Sequence, residues 1–388
     1  MSGTSKQEDV PNFGRWLVTY DPADSDPLTL LTRFVAGVRE SGIAVFRASL
    51  WLPTAHPELW GTQVIWTETG EHEVARREHG ITATATYLNT PGEVVYKTRT
   101  AMRWRLDVPD EQLPYPMLRE FRSLGGTDYV MVPFRSAMGE QPWVSLATNA
   151  PGGFSDEHLR RIEAACLHMA WKARLAIAES ATRSLLQVYL GPNAADQVMA
   201  GQFRRGRSTA INAVIWFCDL RGFTSLGDRL PASELVAMLD RYFECVAAPI
   251  EEFGGEVLKF VGDAVLAVFP CGDAPAKAAA GAWSAAHKAL GALDQLAPLK
   301  MGIALHVGEV LYGNIGGRSR LDFTVIGPAV NEASRVEGLC KTLGTPLLAT
   351  GAFVAALGPR AEVRSLGLRT LRGVSRQTEL FASAAFLA

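Results

Sequence analysis

The stretch of residues 212–269 decides the fold of the second half of this chain. Residues 212–224 read NAVIWFCDLRGFT, and residues 254–269 read GGEVLKFVGDAVLAVF. In the first segment, the short apolar run Ala213–Cys218 is rich in strand-forming residues, which predicts a buried strand that ends at Asp219. In the second segment, a glycine followed by Asp263 separates two apolar runs, which predicts a hairpin turn.

Between these segments, apolar side chains recur at every third or fourth position. This spacing predicts an amphipathic helix over residues 231–254, with its apolar face on the sheet. The apolar positions are Leu235, Met238, Leu239, Tyr242, Phe243 and Val246. The order is therefore strand, helix, hairpin. If the strand and the hairpin pair in one sheet, the side chains of Asp219 and Asp263 meet at one edge.

Two carboxylates in contact raise each other's pKa, so a pair that is held together usually has a cation between them. Hard oxygen ligands favour Mg²⁺ or Mn²⁺, and Mg²⁺ typically arrives with substrate phosphates. Directly after Asp219, Gly222 permits close backbone approach, and the amides of Gly222, Phe223 and Thr224 open a helix in a way that suits a polyphosphate. Two unrelated surface aspartates are the alternative, which the presence of Gly222 and Lys259 makes the weaker one.

Three motifs resemble those of the class III nucleotidyl cyclase catalytic domain. They are FCDLRGFT at residues 217–224, KFVGD at 259–263 and FTVIGPAVNEASR at 323–335, in the order that the family has. The resemblance extends from about Ser208 to the C-terminus. It implies an α+β protein whose residues 208–388 form a ferredoxin-like βαββαβ catalytic domain with extensions.

The resemblance also implies a chemistry. Asp219, Leu220 and Asp263 would bind two divalent cations, Mg²⁺ or Mn²⁺, in each active site. One cation would lower the pKa of the ribose 3′-hydroxyl and the other would hold the triphosphate, so the products would be a 3′,5′-cyclic nucleotide and pyrophosphate. Asn331 would position the ribose, and Arg335 would stabilise charge on the α-phosphate in the transition state. A surface ion pair on its helix is the alternative for Arg335.

Lys259 and Thr324 would read the base. In the family a lysine at this position pairs with adenine, whereas guanylate cyclases tend to carry glutamate. An aspartate is usual where this chain has Thr324, and the threonine resembles the subgroup that bicarbonate often stimulates. ATP is therefore the expected substrate, and an adenylate cyclase the expected enzyme, with a guanylate cyclase as the alternative.

The family also has a basic residue near the C-terminus that binds the terminal phosphates of the substrate. Arg372, in the sequence LRGV, is the best match, although lysine is usual there. Arginine can bind phosphate with two parallel hydrogen bonds. A solvated arginine at a strand edge is the alternative.

In this family the metal-binding aspartates belong to one subunit, while the residues matching Lys259, Thr324, Asn331 and Arg335 act from the other. This chain has both sets, so the resemblance implies a symmetric homodimer with shared active sites. A catalytically silent, nucleotide-binding dimerisation module is the alternative from another class. It would lack some of the metal-binding or transition-state residues, and none is missing here.

Composition limits the partners and the compartment. The 388 residues allow two domains, and 48% apolar with 20% charged residues is typical of a soluble globular protein. The formal net charge of −2 gives no reason to expect nucleic acid or an anionic membrane as partner. Five scattered cysteines, a polar N-terminus and the lack of an apolar run of about 18 residues predict a cytoplasmic protein with no membrane span.

The first half predicts a regulatory domain. Residues 1–24 are polar and contain several prolines, which predicts a mobile segment. Residues 25–154 predict an α+β domain with an antiparallel sheet and one amphipathic helix that ends at Ser41. The expected strands are Ile43–Leu52, Gln63–Thr67, Ala83–Leu88, Tyr129–Phe134 and Trp143–Thr148.

The last third of this domain, with VPFR at 132–135, Gly139, WVSLA at 143–147 and FSDEHL at 154–159, weakly resembles a GAF-type sensor domain. Seven of the nine tryptophans precede residue 180, and they either line a ligand pocket or fill a core. No motif names a ligand, so a small molecule or bicarbonate is left open as the regulator.

Residues 155–207 predict a helical linker, with Ser155 as the N-cap. Apolar residues at three- and four-residue spacing follow it: Leu159, Ile162, Cys166, Met169, Ala173 and Ala176. This seam would either pair with a second copy as a parallel coiled coil or pack back on the sheet of the first domain.

Overall fold

The computed structural model describes residues 13–19, 21–84, 86–134, 141–296, 298–359 and 362–386. It divides into two compact units, Met1–Leu185 (unit 1) and Leu186–Ala388 (unit 2). None of its helices combines the length and the apolar character that a membrane crossing needs, within the part of the chain that is described. All five cysteines are free thiols.

Unit 1 is an α+β unit built on one antiparallel sheet. Its helices are α1 (Phe13–Val18), α2 (Pro27–Glu40), α3 (Pro91–Thr98), α4 (Pro116–Ser123) and α5 (Asp156–Leu190), the last of which runs on into unit 2. Its strands are β1 (Arg47–Pro53), β2 (Leu59–Thr67), β3 (Glu73–Glu78), β4 (Met102–Arg105), β5 (Asp128–Pro133) and β6 (Trp143–Thr148), in the spatial order β3-β2-β1-β6-β5-β4.

The sheet of unit 1 is covered on both faces. Because side chains alternate along a strand, one face presents Leu50, Val144 and Leu146 to a core shared with α2 and α5. The opposite face presents Tyr129 and Met131 to a smaller core that includes residues of α3 and α4. A strand buried on both faces explains why the apolar runs of β1 and β6 are continuous rather than alternating.

Four of the five expected strands are confirmed, three of them with shifted ends, and the expected strand Ala83–Leu88 is wrong. A 3₁₀ helix, His79–Ala83, and turns occupy that region. The Thr84 hydroxyl donates to the Ile81 carbonyl oxygen at 2.7 Å. This local hydrogen bond stabilises a turn in place of the hydrogen bonds between paired strands. The sequence analysis missed β3 and β4, whose charged side chains suit strands at the two edges of the sheet.

The described part of the segment that was expected to be mobile is packed instead. Trp16 in α1 is buried, and its indole N–H donates to Asp24 at 3.1 Å. The ammonium of Lys172 on α5 donates to the same carboxylate at 2.6 Å. This buried ion pair connects Asp24 to α5 within unit 1. Within the GAF-like motifs, Arg135 and Gly139 lie outside the described residues.

The helix α5 settles the choice that the linker sequence left open for its first half. Ser155 caps it, since the His158 amide donates to the Ser155 hydroxyl at 3.1 Å. The expected seam is buried in the core of unit 1 through Ile162, Cys166, Met169, Ala173 and Ala176. This seam therefore packs back on the sheet, and the expected coiled-coil pairing through it is not the arrangement in the structure.

Unit 2 is a second α+β unit, with helices on an eight-stranded sheet. Its helices are α6 (Pro192–Met199), α7 (Phe223–Gly227), α8 (Ala232–Glu252), α9 (Pro275–Asp294), α10 (Pro328–Glu337), α11 (Cys340–Leu343) and α12 (Gly351–Leu357). Its strands are β7 (Ser208–Leu220), β8 (Glu256–Val261), β9 (Ala264–Pro270), β10 (Met301–Gly316), β11 (Leu321–Ile326), β12 (Leu347–Thr350), β13 (Val363–Thr370) and β14 (Gln377–Ser383).

The sheet order is β13-β14-β12-β10-β7-β9-β8, and β11 pairs with the far end of β10. The expected strand, helix and hairpin at residues 212–269 are confirmed as β7, α8 and β8–β9, with the helix packed on the sheet through Tyr242 and Val246. Gly308 follows an apolar run, a pattern that predicts a turn, but β10 continues through it. A β-carbon at Gly308 would lie 2.7 Å from the Ala329 side chain, so this glycine lets α10 approach the strand.

Candidate active site

Asp219 and Asp263, at the ends of β7 and β8, meet at one edge of the sheet. Asp219 is the penultimate residue of β7, which pairs with β9, and Asp263 lies in the β8–β9 turn, where Gly262 adopts a φ of +64°. Burial, and then hydrogen bonding and repulsion from Asp263, raise the pKa of Asp219 to about 6. Its Oδ1 atom is buried and has no hydrogen-bond partner in the described part of the chain.

A third carboxyl group, which the sequence analysis did not identify, lies near this pair. Glu337 at the end of α10 packs over Gly302, which stands opposite Asp219 in β10. A β-carbon at Gly302 would collide with the Glu337 carboxyl group. Burial, and then the charge of Asp219, raise the pKa of Glu337 to about 7, while Arg221 acts in the opposite direction. The sequence signal was weak, because an acidic residue near a helix C-terminus is common.

The donor set fits a hard divalent cation. It consists of two adjacent carboxylates, one with an orphaned buried oxygen. Among the described residues there is no cluster of three or more His, Cys, Asp or Glu side chains that could hold a metal ion. A cation here would therefore keep open positions for water or substrate oxygens, as Mg²⁺ commonly does.

The loop after Asp219 is held from both sides. Gly222 has a φ of +78°, and the single-turn helix α7 follows it. The amides of Ser225 and Leu226 already donate to the Gly222 carbonyl oxygen, at 3.1 and 3.2 Å. The guanidinium of Arg221 donates to the Thr345 carbonyl oxygen at 2.8 Å, which ties the loop to the segment before β12. The side chain of Thr224 lies outside the described part.

Asn331 and Arg335 lie one turn apart on α10, as their spacing predicts, and both side chains are exposed. The opposite face of the helix buries Ala333 and Val336. Arg335 has no ion pair within the described ranges, so the structure gives no support to a surface ion pair as its role. Both polar groups are open to a ligand or to a second protein chain.

The face of α10 that points into the protein holds a buried polar network, which sequence reasoning also missed. Glu332, next to Asn331, is buried and accepts hydrogen bonds from Thr378 at 2.9 Å and from Arg376 at 3.1 Å. His306 on β10 lies 3.9 Å from the same carboxylate and donates to or accepts from Thr350 at 2.8 Å. This network connects α10 to β10, β12 and β14, and so fixes the helix that carries Asn331 and Arg335.

Lys259 and Thr324 lie on neighbouring elements, but the companion of the lysine within the chain is a different residue. The Lys259 ammonium forms an ion pair with Asp322 of β11. Asp322 and Thr324 are two residues apart on one strand and therefore point to the same face. The Thr324 hydroxyl is 4% exposed and has no hydrogen-bond partner among the described residues. The two-residue periodicity of β11 could have identified Asp322 from the sequence.

Arg372 lies in an exposed turn between β13 and β14, next to Gly373, whose φ is +79°. Its neighbour Leu371 is buried beside Val336 of α10. The proposed contact of Arg372 with phosphate stays a prediction.

Residues 208–348 match the family model described as the adenylate and guanylate cyclase catalytic domain. This part of unit 2 is therefore similar to the catalytic domain of adenylate and guanylate cyclases. Among the similar proteins, "Adenylate cyclase" of Anabaena cylindrica is 36% identical over 165 residues, which cover 39% of this chain and 32% of that protein. "Adenylate cyclase 1" of Rhizobium meliloti is 30% identical over 177 residues, covering 42% of this chain and 26% of that protein.

A solved structure of a bacterial light-regulated adenylyl cyclase is similar to this chain with a TM-score of 0.50. The two share 20% identity over 67% of this chain and 87% of the other, which shows a common fold. The aligned part spans about a third or less of the two curated relatives named above. The chain thus matches less than half of the length of these two relatives.

The carboxyl groups give the site a defined pH and metal dependence. Asp219 and Glu337 have raised pKa values, so the folded protein keeps protons that the unfolded chain has already lost. Without metal, stability should therefore fall as the pH rises from about 4 towards about 7. Mn²⁺ should reverse this loss, because it binds the ionised folded form. The melting temperature should rise with Mn²⁺ at pH 8 and change little at pH 5.

Asp219→Asn should abolish the Mn²⁺-dependent rise in melting temperature, and Asp273→Asn, at an exposed turn after β9, should keep it. An equal Mn²⁺-dependent rise in the melting temperature of Asp219→Asn and of the unmodified protein would contradict a metal site at Asp219.

The buried network under α10 predicts a stability effect with a functional consequence. Glu332→Ala removes two hydrogen bonds to a buried carboxylate, which should lower the free energy of unfolding by about 1.5–3 kcal/mol. Glu309→Ala, at an exposed position of β10, should change it by less than about 0.5 kcal/mol. Urea unfolding followed by circular dichroism measures both, and similar values for the two variants would contradict the anchoring role.

Proposed function

We propose that this protein is an adenylate cyclase that converts ATP into 3′,5′-cyclic AMP and pyrophosphate at active sites shared between two copies of the chain. The observation that carries the proposal is that two sets of functional residues lie in unit 2. Asp219 and Asp263 form an acidic pair in which the pKa of Asp219 is raised. Asn331 and Arg335 are exposed on α10, whose opposite face is fixed by the buried hydrogen bond from Thr378 to Glu332.

Each group of residues has a step to perform. The carboxylates of Asp219 and Asp263, with the Leu220 carbonyl group, would hold divalent cations, Mg²⁺ or Mn²⁺. When bound, these cations lower the pKa of the ribose 3′-hydroxyl and neutralise phosphate charge. The Asn331 amide would orient the ribose. The Arg335 guanidinium would donate to the α-phosphate oxygens as they gain charge, and Arg372 would bind the terminal phosphates.

The base-reading side chains favour adenine on the grounds of hydrogen-bond polarity. Lys259 can only donate, and N1 of adenine accepts, whereas N1 of guanine carries a proton. The buried hydroxyl of Thr324 has no partner in the described part of the chain, so it can accept from the adenine amino group. In the free chain Asp322 neutralises Lys259, and nucleotide binding would draw the ammonium away from this exposed ion pair.

Exposed apolar side chains support a homodimer. Phe260 and Val261 at the hairpin, and Leu311 and Ile326 on the paired strands β10 and β11, are each more than a third exposed. Large apolar side chains that share a surface with functional residues are typical of interfaces between protein chains. Two copies in isologous contact would give two equivalent sites. Unit 1, with its GAF-like motifs, takes the regulatory role in this proposal.

Product analysis tests the reaction. The purified full chain with Mn²⁺ or Mg²⁺ should form cyclic AMP from ATP, with little cyclic GMP from GTP. Arg335→Ala should lower kcat about 10²–10³-fold, which is the usual effect of removing one donor to a transition-state charge. Arg318→Ala, exposed in the β10–β11 turn, is the matched control and should keep full activity. Preference for GTP would favour a guanylate cyclase, and no product from either would favour a silent nucleotide-binding module.

Complementation tests the shared site. Asp219→Ala and Arg335→Ala chains should each be inactive as homodimers. Co-expressed in equal amounts, half of the dimers would be mixed, each with one intact site, so about a quarter of the normal activity should return. Asp219→Ala with Asp263→Ala is the control, since both changes affect the same half-site and no activity should return. An inactive first mixture would show that each chain carries its own complete site.

A further inference from the structure

Unit 1 contains a cavity of about 180 Å³ that the catalytic proposal does not use. It lies against the face of the sheet that points away from α2 and α5, under α4 and the segment before α3. Six aromatic side chains contribute to its wall: Trp51, Trp60, Tyr87, Phe121, Tyr129 and Trp143. Its floor comes from alternate residues of β1, namely Arg47, Ser49 and Trp51.

The size and the walls of the cavity suit one aromatic ring. An apolar cavity of about 150 Å³ engineered into a protein core is enough to bind benzene, so 180 Å³ allows a ring with small substituents. Trp51 and Trp60 lie with ring centroids 4.4 Å apart, and Trp60 meets Tyr87 edge-on at 5.4 Å. Rings fixed by such contacts present rigid faces and edges to a planar ligand.

A buried hydrogen-bond donor at this wall lacks an acceptor. Trp51 is 2% exposed, and its indole N–H has no partner within the described residues. A buried donor without an acceptor destabilises the folded state, because it has lost its hydrogen bond to water. A phenylalanine would fill a simple core position without this cost. The indole is therefore better explained by a ligand oxygen that accepts its hydrogen bond.

The charged residues of the lining indicate the sign of the charge that a ligand would carry. Arg47 and Arg77 line the cavity, and no Asp or Glu is among the described residues of the lining. Arg77 donates to the Gln63 side chain at 2.9 Å. The Arg47 guanidinium lies 5.1 Å from the centroid of the Phe121 ring and has no ion pair among the described residues. An aromatic cage alone would suit an organic cation, but two arginines without a counter-ion repel one and attract an anion.

We propose that this cavity binds a single-ring aromatic carboxylate with a second polar oxygen on the ring. The ring stacks among the indoles of Trp51, Trp60 and Trp143, and Arg47 binds the carboxylate. The N–H of Trp51 donates to the second oxygen. Arg47 and Trp51 are four residues apart on the same face of β1, so their Cα atoms are roughly 13 Å apart along the strand, which leaves space for one ring between the two side chains.

Calorimetric titration of the full chain tests this assignment, with 4-hydroxybenzoate as the probe and 4-hydroxybenzyl alcohol as its neutral analogue. The acid should bind with a Kd below about 1 mM, quench tryptophan fluorescence and bind at least tenfold more tightly than the alcohol, which is about 1.4 kcal/mol. Arg47→Gln should remove this preference, and Arg47→Lys should restore part of it. Trp51→Phe should weaken binding of both compounds, since it removes one hydrogen bond.

Matched controls are Arg318→Gln, exposed in unit 2, and Trp171→Phe, which is 69% exposed on α5; both should bind the acid normally. Circular dichroism and melting temperature show whether each variant is folded. If Trp51→Phe does not fold, Arg47→Gln still tests the proposal, because Arg47 is only half-buried. Three results would overturn the proposal. They are equal affinity for acid and alcohol, preferential binding of tetramethylammonium, and unchanged acid affinity in a folded Arg47→Gln variant. All are binding readouts, so they stand apart from the cyclase assignment.

Discussion

The repulsion between two neighbouring carboxyl groups is the constraint on which unit 2 depends. While both groups are ionised, nothing in the pair itself favours contact, since burial and mutual repulsion raise the pKa of Asp219. The contact is imposed by the sheet, where β7 lies between β9 and β10 with Val214, Ile215 and Trp216 fully buried. The hydrophobic core therefore supplies the free energy that holds the acids together, and the site is left with an electrostatic deficit that a cation relieves.

The helix α10 likewise combines a face that packs on the protein with a face that is exposed. The inner face is fixed by apolar packing and by Glu332, which is satisfied by Thr378 and Arg376. The outer face leaves Asn331 and Arg335 exposed. A donor that must meet developing charge works best when its position does not have to be reorganised during the reaction. The buried network does this for Arg335 without touching a ligand.

The sequence predicted the centre of the site better than its surroundings, for physical reasons. Asp219 and Asp263 end apolar runs, so local pattern alone placed them at the ends of paired strands. Glu337 and Glu332 are remote in sequence from the partners they meet, and only the packing of α10 on β10 brings them there. In the same way, Gly308 was read as a turn signal because the sequence does not show that Ala329 would lie against it.

The strands of unit 1 show how one sheet can hold both a core and a binding site. Alternate residues of β1 point to opposite faces, and Leu50 and Leu52 on one face join the core with α2 and α5. On the other face, Arg47 is half-buried without an ion pair, and the buried indole N–H of Trp51 has no hydrogen-bond partner, among the residues that the structure describes. Packing explains the first face completely and leaves the second unexplained. A bound aromatic anion would satisfy the guanidinium, the indole N–H and the ring faces together, which no rearrangement of the apolar residues around them could do.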